Sequence, residues 1–241
     1  MSRDATAGIP IHRHSAVVRV THWINVVCLA LLLMSGLQIF NAHPALYWGE
    51  ISHFESPFTV GEFPGWLTVP SYQSLATGRH WHFLFAWIFV INGAVYLAAS
   101  LLGGHLWRDL FPTREQLRYI GRSIAEHVRL RFPKGEEARR YNVLQKLAYL
   151  AVVLVLLPVM LLAGLAMSPA IDAAFPWLVP LFGGRQSART IHFILANLLV
   201  LFFLAHVATV ILSGLWNNLR SMITGRYVLE PEDDRGERPT G

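Results

Sequence analysis

Residues 188–214, ARTIHFILANLLVLFFLAHVATVILSG, form the stretch of sequence that decides the fold of this chain. The stretch is almost entirely apolar and is long enough to cross a hydrocarbon core of about 30 Å as a helix. It contains two histidines, His192 and His206, which are fourteen residues apart. Fourteen residues end about 40° short of four full helical turns and rise about 21 Å, so both imidazoles face one side at two depths. Because unpaired polar side chains are costly in a bilayer, we predict that each histidine has a specific use, and two haems at two depths would use both.

Composition places the whole chain in the membrane class. Of its 241 residues, 54% are hydrophobic and 15% are charged, which is unusual for a soluble domain. Four apolar stretches reach spanning length, at about 20–40, 81–103, 144–167 and 188–214. An isolated span must satisfy its backbone hydrogen bonds internally, so we predict an all-α fold, an integral membrane four-helix bundle. This transmembrane domain covers 20–220, between a tail at 1–19 and a tail at 221–241 that we expect to be disordered.

The distribution of lysine and arginine predicts the topology. These residues concentrate in the N-terminal tail, in the segment between the second and third spans, and in the C-terminal tail. The loop at 41–80 holds only Arg79, together with three glutamates. Because cytoplasmic loops carry the basic excess, both termini should be cytoplasmic and the long loop between the first two spans periplasmic. We expect a multi-pass protein of the bacterial inner membrane whose net charge of +5 reflects topology and contact with anionic lipid, with no role for nucleic acid.

The segment between the second and third spans begins with a helix-start signal. Thr113 and Gln116 have the spacing of a capping box. Apolar residues then recur at helical intervals among arginines, which predicts a basic amphipathic helix lying on the cytoplasmic surface of the membrane.

Four histidines are placed to hold two haems. A b-type haem with two axial histidines needs neutral imidazoles from facing helices at one depth. His22 opens the first span and His206 lies near the same, cytoplasmic end of the fourth span, so these two share a depth. His82 opens the second span at the outer side, where His192 also lies. The single cysteine, Cys28, excludes a Cys-x-x-Cys-His attachment site, so each haem would be held by coordination of its iron to histidine.

His80 and His82 compete for the outer position. They point about 200° apart on a helix and cannot both face one haem. Gly93 lies within about 20° of the face of His82 but about 140° from that of His80. A glycine on the ligand face lets a porphyrin approach the backbone, and Gly36 stands in the same relation to His22. We therefore choose His82, although such glycines also serve ordinary helix packing in membranes.

Three arginines each precede a predicted ligand by three residues: Arg19, Arg79 and Arg189. A residue three positions earlier lies on the same side of a helix, and here nearly one turn closer to the membrane surface. Haem propionates are carboxylates that point toward that surface, and a guanidinium suits them geometrically. The alternative is that these arginines are snorkelling side chains that anchor the helix ends.

The order of these motifs resembles the bacterial four-helix di-haem cytochrome b family, which includes membrane subunits of nickel–iron hydrogenases, formate dehydrogenase and thiosulfate reductase. The resemblance covers about residues 12–220. It is carried by Thr21-His22-Trp23, Trp81-His82-Phe83 and Ile191-His192-Phe193, followed by His206. It implies two b-type haems with the pairs His22/His206 and His82/His192 as axial ligands of the iron. The segments 35–44 and 103–110 look most like the branch that accompanies periplasmic molybdopterin oxidoreductases.

We therefore expect a membrane-anchored electron-transfer subunit of an oxidoreductase complex, with no catalytic residue of its own. Electrons would pass between a periplasmic redox partner, a molybdopterin oxidoreductase or a c-type cytochrome, and the quinone pool. One alternative is a stand-alone cytochrome that oxidises quinol and reduces a small oxidant. Another, from a different class, is a haem-free transporter or scaffold whose histidines relay protons.

Overall fold

The computed structural model describes residues 9–53, 58–104, 111–121 and 143–229. The described parts are mostly helical. The helices are α1 (Ala16–Asn41), α2 (Leu75–Leu102), α3 (Arg114–Arg118), α4 (Val143–Ala166), α5 (Pro169–Ala174), α6 (Leu178–Leu181), α7 (Arg185–Leu212) and α8 (Leu215–Thr224). A 3-10 turn covers Gly65–Leu67, and the two strands are β1 (Ile9–His12) and β2 (Arg226–Leu229).

Four of these helices, α1, α2, α4 and α7, are long and apolar enough to cross a membrane. This result confirms the predicted all-α integral membrane fold with four spans. Helix α2 begins at Leu75, earlier than its apolar stretch, because the Ser74 hydroxyl accepts a hydrogen bond from the backbone N–H of Thr77 at 3.4 Å. Helix α4 remains helical through a π-helical segment, Val152–Leu156, just before Pro158 removes a backbone donor.

The chain divides into two compact units. Among the described residues, the first unit comprises 21–53, 58–97 and Ala151–Leu204, and the second comprises 9–20, 98–104, 111–121, 143–150 and 205–229. In the first unit a small core of Ala166, Leu178, Val179 and Ala188 joins the end of α4 to the start of α7.

The loop after α1 folds back onto helix ends of the first unit. The Asn41 side-chain amide donates to the carbonyl of Phe63 and accepts from its N–H, both at 2.8 Å. On the other side, the Gly49 carbonyl accepts from the N–H of Gln186 at 3.0 Å, and the Ser187 hydroxyl accepts from the N–H of Gly49 at 2.8 Å. These bonds fix the loop to both α1 and α7.

The second unit contains a two-stranded antiparallel sheet in which β1 pairs with β2, with Ile9 opposite Leu229 and His12 opposite Arg226. The Asn217 side chain supports it from α8, because its amide donates to the Val228 carbonyl at 2.7 Å and accepts from the Val228 N–H at 3.0 Å. The prediction of a disordered tail is therefore wrong for residues 221–229. Residues 221–224 are the end of helix α8, and residues 226–229 pair with a strand about two hundred residues earlier, a contact that local composition does not reveal. Residues 230–241 lie outside the described part.

The predicted capping box at the start of α3 is confirmed. The Thr113 hydroxyl accepts from the Gln116 N–H at 3.2 Å, and the Gln116 side chain accepts from the Thr113 N–H at 3.1 Å. Most of the predicted basic helix, from residue 122 onward, lies outside the described residues.

Candidate functional site

His82 on α2 and His192 on α7 meet inside the first unit. Their ring centres are 6.2 Å apart, and the ring planes are inclined by 65°. Two imidazoles that bind opposite sides of one metal, with metal–nitrogen bonds of about 2 Å, have ring centres about 6 Å apart. The distance between the two rings is therefore one at which both imidazoles could bind the same metal ion.

Helix α1 holds the His82 ring. The His82 Nδ1 lies 3.1 Å from the Ser35 hydroxyl oxygen, and that hydroxyl also lies 2.6 Å from the Leu31 carbonyl. A hydroxyl has one proton, and when Ser35 donates it to the Leu31 carbonyl, its nearer partner, the hydroxyl oxygen can accept from the His82 Nδ1–H. The proton at Nδ1 leaves a lone pair at Nε2, which is the form in which histidine binds a metal.

Helix α4 holds the His192 ring in a similar way. The His192 Nδ1 lies 3.0 Å from the Met160 carbonyl oxygen, which can only accept, so Nδ1 carries the proton here too. Gly164, one turn further along α4, faces the same ring: a Cβ there would lie 3.3 Å from His192 Cε1. The third span, which contains no histidine, thus positions a predicted ligand.

The structure distinguishes between the two neighbouring histidines of α2. His80 is exposed, whereas His82 is half-buried and is the one brought next to His192. Of the two glycines predicted to face a porphyrin, Gly36 lies beside the His82 ring, since a Cβ there would be 3.5 Å from His82 Cε1. A Cβ at Gly93 would meet no atom of another segment within 4 Å.

The three arginines predicted to bind haem propionates each contact other groups of the protein. Arg189 donates to the carbonyls of Ala45, at 2.7 Å, and of His43, and so anchors the loop after α1. The Arg79 guanidinium lies over the Phe83 ring, 5.5 Å from its centre. In the second unit, Arg19 donates to the Ile223 carbonyl. Their role toward propionates stays a prediction.

The inner pair of histidines is divided between the two units. In the first unit, His22 packs edge-on against Trp23, with ring centres 5.4 Å apart. In the second, His206 packs edge-on against Tyr149, with ring centres 6.4 Å apart. The pairing of His22 with His206 therefore stays a prediction from the sequence.

A buried amide links two helices beside His22. The Asn92 side chain donates to the Thr21 carbonyl at 2.8 Å and to the Asn25 side-chain oxygen at 2.7 Å. Asn92 is only 6% exposed, and these two bonds satisfy both N–H groups of its side-chain amide inside the protein. This contact fixes α2 against the start of α1.

The donor set suits a porphyrin better than a bare metal ion. Among the residues that the structure describes, no group of three or more histidine, cysteine, aspartate or glutamate side chains could hold a metal ion. A porphyrin itself supplies four nitrogens to its iron, so two histidines complete the coordination. The residues around His82 and His192 thus fit a haem.

Sequence reasoning missed Ser35, Met160 and Gly164. Ser35 had a usable signal, because a serine inside an apolar span needs a partner for its hydroxyl. Met160 had none, since it acts through its backbone carbonyl.

Comparison with known proteins gives a consistent result. The family model for prokaryotic cytochrome b561 matches residues 13–225. A putative protein-methionine-sulfoxide reductase subunit, YedZ1 of Azospira oryzae, is 33% identical over 199 residues, which cover 83% of this chain and 90% of that protein. A probable Ni/Fe-hydrogenase B-type cytochrome subunit of Cupriavidus necator is 26% identical over 227 residues, which cover 88% and 84% of the two chains. No solved structure matches the chain.

Proposed function

Because the chain belongs to the prokaryotic cytochrome b561 family, we propose that it carries electrons across the bacterial inner membrane through two b-type haems, between a periplasmic redox enzyme and the quinone pool. The family is one of haem-b-binding membrane proteins that transfer electrons. This chain is accordingly a multi-pass bacterial membrane protein of that class. The predicted alternative of a haem-free transporter has no support in this family.

The outer haem would be held by His82 and His192. The single observation that carries the proposal is the 6.2 Å distance between their ring centres, and the hydrogen bonds at both Nδ1 atoms make Nε2 the atom of each ring that would bind iron. When bound, the haem supplies reversible one-electron chemistry at its iron. The protein would orient the two imidazoles through the bonds of their Nδ1 atoms to α1 and α4.

The inner haem would be held by His22 and His206. This part of the proposal rests on the fourteen-residue spacing of His192 and His206, which separates the two iron ligands of α7 by about 21 Å along the helix. It also rests on the position of His22 near the start of α1. Two haems at these depths would give an electron path through most of a hydrocarbon core of about 30 Å.

The relatives support a redox partner for this chain. One relative is named as a subunit of a protein-methionine-sulfoxide reductase and the other as a subunit of a Ni/Fe-hydrogenase. We propose that the partner here is a periplasmic oxidoreductase that contains molybdopterin. The resemblance of segments 35–44 and 103–110 to that branch of the family favours this choice over a c-type cytochrome.

The test is the haem content of the purified full-length chain. A dithionite-reduced minus oxidised spectrum should show a b-type α-band, and a pyridine haemochrome assay should give two haems per chain. His82→Ala should lower the number to one, and the neighbouring variant His80→Ala should leave it at two. Loss of haem in His80→Ala together with full content in His82→Ala would contradict the assignment.

A further inference from the structure

The two ligand histidines are held by helices that carry no ligand of the same haem. Ser35 and Gly36 on α1 form the first socket, which surrounds the His82 ring. Met160 and Gly164 on α4 form the second socket, which surrounds the His192 ring. Each socket combines an acceptor for Nδ1–H with one glycine against the edge of the ring, and in the first socket the Leu32 carbonyl also hydrogen-bonds to His82. The two sockets hold the planes of the rings at 65° to one another.

The two acceptors differ in chemistry. The second socket uses a backbone carbonyl, which no substitution removes. The first uses a side-chain hydroxyl that is 0% exposed and is held in place by its own bond to Leu31. A hydroxyl oxygen that has already donated its proton to a carbonyl is polarised toward negative charge, which makes it a better acceptor. Ser35 is thus the single acceptor for either Nδ1 that can be removed by mutation.

From this arrangement we infer that Ser35 is a positioning residue for the outer haem, whose hydroxyl orients the His82 ring together with the Leu32 carbonyl and thereby tunes the potential of the iron. An acceptor on Nδ1–H makes the imidazole a more basic ligand. A more basic ligand stabilises ferric over ferrous iron, so it lowers the potential. This inference rests on the proposed function, because it requires that His82 binds haem.

The decisive variant is Ser35→Ala, compared with Ser35→Thr and with Ser100→Ala. Threonine keeps a hydroxyl that can bond to the carbonyl four residues earlier. Ser100 is a second buried serine, 3% exposed, on α2, and it serves as the control for loss of a hydroxyl inside a span. The readouts are haem content, a potentiometric titration that separates the two haems, and the EPR spectrum of the ferric protein, which depends on the angle between the two imidazole planes.

We expect Ser35→Ala to keep both haems and to raise the potential of one of them. The expected size is on the order of a tenfold change in the oxidised-to-reduced equilibrium, or about 59 mV for one electron. The EPR signal of the same haem should change. Ser35→Thr and Ser100→Ala should match the wild-type protein in both readouts.

Unchanged potentials and an unchanged EPR spectrum in Ser35→Ala would overturn the inference and leave the proposed function intact. If Ser35→Ala loses one haem, Ser35→Thr decides: wild-type content and potential support the inference, and loss in both variants contradicts it. Two haems in His82→Ala would instead overturn the proposed function, so the two failures are distinguishable.

A substitution that creates a steric contact in the second socket provides an independent test. A Cβ at position 164 would lie 3.3 Å from His192 Cε1, so Gly164→Ala should turn that ring slightly while keeping its bond to Met160. The EPR signal that changes should belong to the haem affected by Ser35→Ala. A change in the other haem would contradict the assignment of both sockets to one site.

Discussion

Arg189 of α7 donates a 2.7 Å hydrogen bond to the carbonyl of Ala45, 144 residues earlier in the chain. The same guanidinium donates to the His43 carbonyl and lies 5.1 Å from the centre of the Phe40 ring. It therefore fastens the loop after α1 to the helix that carries His192. If the Arg189 guanidinium pairs with a haem propionate, it must do so while it donates hydrogen bonds to the loop carbonyls.

Substitution of Arg189 by alanine should loosen this loop. Each lost hydrogen bond from a charged donor costs about 1.5–3 kcal/mol, so the free energy of unfolding should fall by at least that amount. Limited proteolysis within residues 43–53 should become faster, and the thermal midpoint in detergent should fall. Arg79→Ala is the matched control, because that guanidinium contacts the Phe83 ring rather than loop carbonyls. Equal proteolysis in both variants would show that Arg189 does not hold the loop.

Gly93 tests the predicted approach of a porphyrin to α2. A Cβ at this position would meet no atom of another segment within 4 Å, so Gly93→Leu should not disturb the protein's own packing. If Gly93 faces the inner haem, the leucine side chain occupies the volume of the macrocycle, and the haem content should fall from two to one. The thermal midpoint of the haem-free protein should stay unchanged. Two haems in Gly93→Leu would mean that this face of α2 contacts lipid instead.

Asn92 should matter for both stability and the inner haem. Asn92→Ala leaves the Asn25 side-chain oxygen and the Thr21 carbonyl without this donor, at a cost of about 1–3 kcal/mol in the free energy of unfolding. Because Thr21 precedes His22, the potential of the inner haem should shift as well, while the outer haem keeps its value. Asn197→Ala is the control, since Asn197 is exposed and bonds only within α7 to Phe193. If the two variants have the same free energy of unfolding and the same inner-haem potential, Asn92 has no part in the inner site.

The Asn217 side chain should control the order of the C-terminal strand. Asn217→Ala removes its two bonds to Val228, of 2.7 and 3.0 Å, at a cost of about 1–3 kcal/mol. Hydrogen exchange at the amides of 226–229 should then accelerate, and exchange in α7 should not. Asn218→Ala is the matched control, because its amide bonds to Gly214, Ser213 and, at 3.5 Å, the Val210 carbonyl, none of which belongs to β2. Equal exchange in the two variants would show that β1 alone holds β2.

Hydropathy predicted the four spans because a bilayer imposes a minimum apolar length that few other folds require. The choice of His82 over His80 followed from helical periodicity; the His82 ring lies 6.2 Å from that of His192, and its role as an iron ligand stays a prediction. Both results depend on local sequence and on the known geometry of one helix.

The rest of the site depends on contacts between helices, which a single sequence does not encode locally. The Met160 carbonyl is identical in chemistry to every other carbonyl of α4, and only the packing of α7 against it makes it an acceptor for His192. For the arginines, sequence spacing predicted a role as partners of haem propionates. The structure shows that Arg189 also donates hydrogen bonds to two loop carbonyls, which the spacing did not indicate.

The pairing of β1 with β2 also constrains how often the chain crosses the membrane. Residues that share backbone hydrogen bonds must lie in the same aqueous compartment, so His12 and Arg226 are on one side. The polypeptide between them must therefore cross the bilayer an even number of times. The four spanning helices found among the described residues meet this parity requirement, whereas three or five would not.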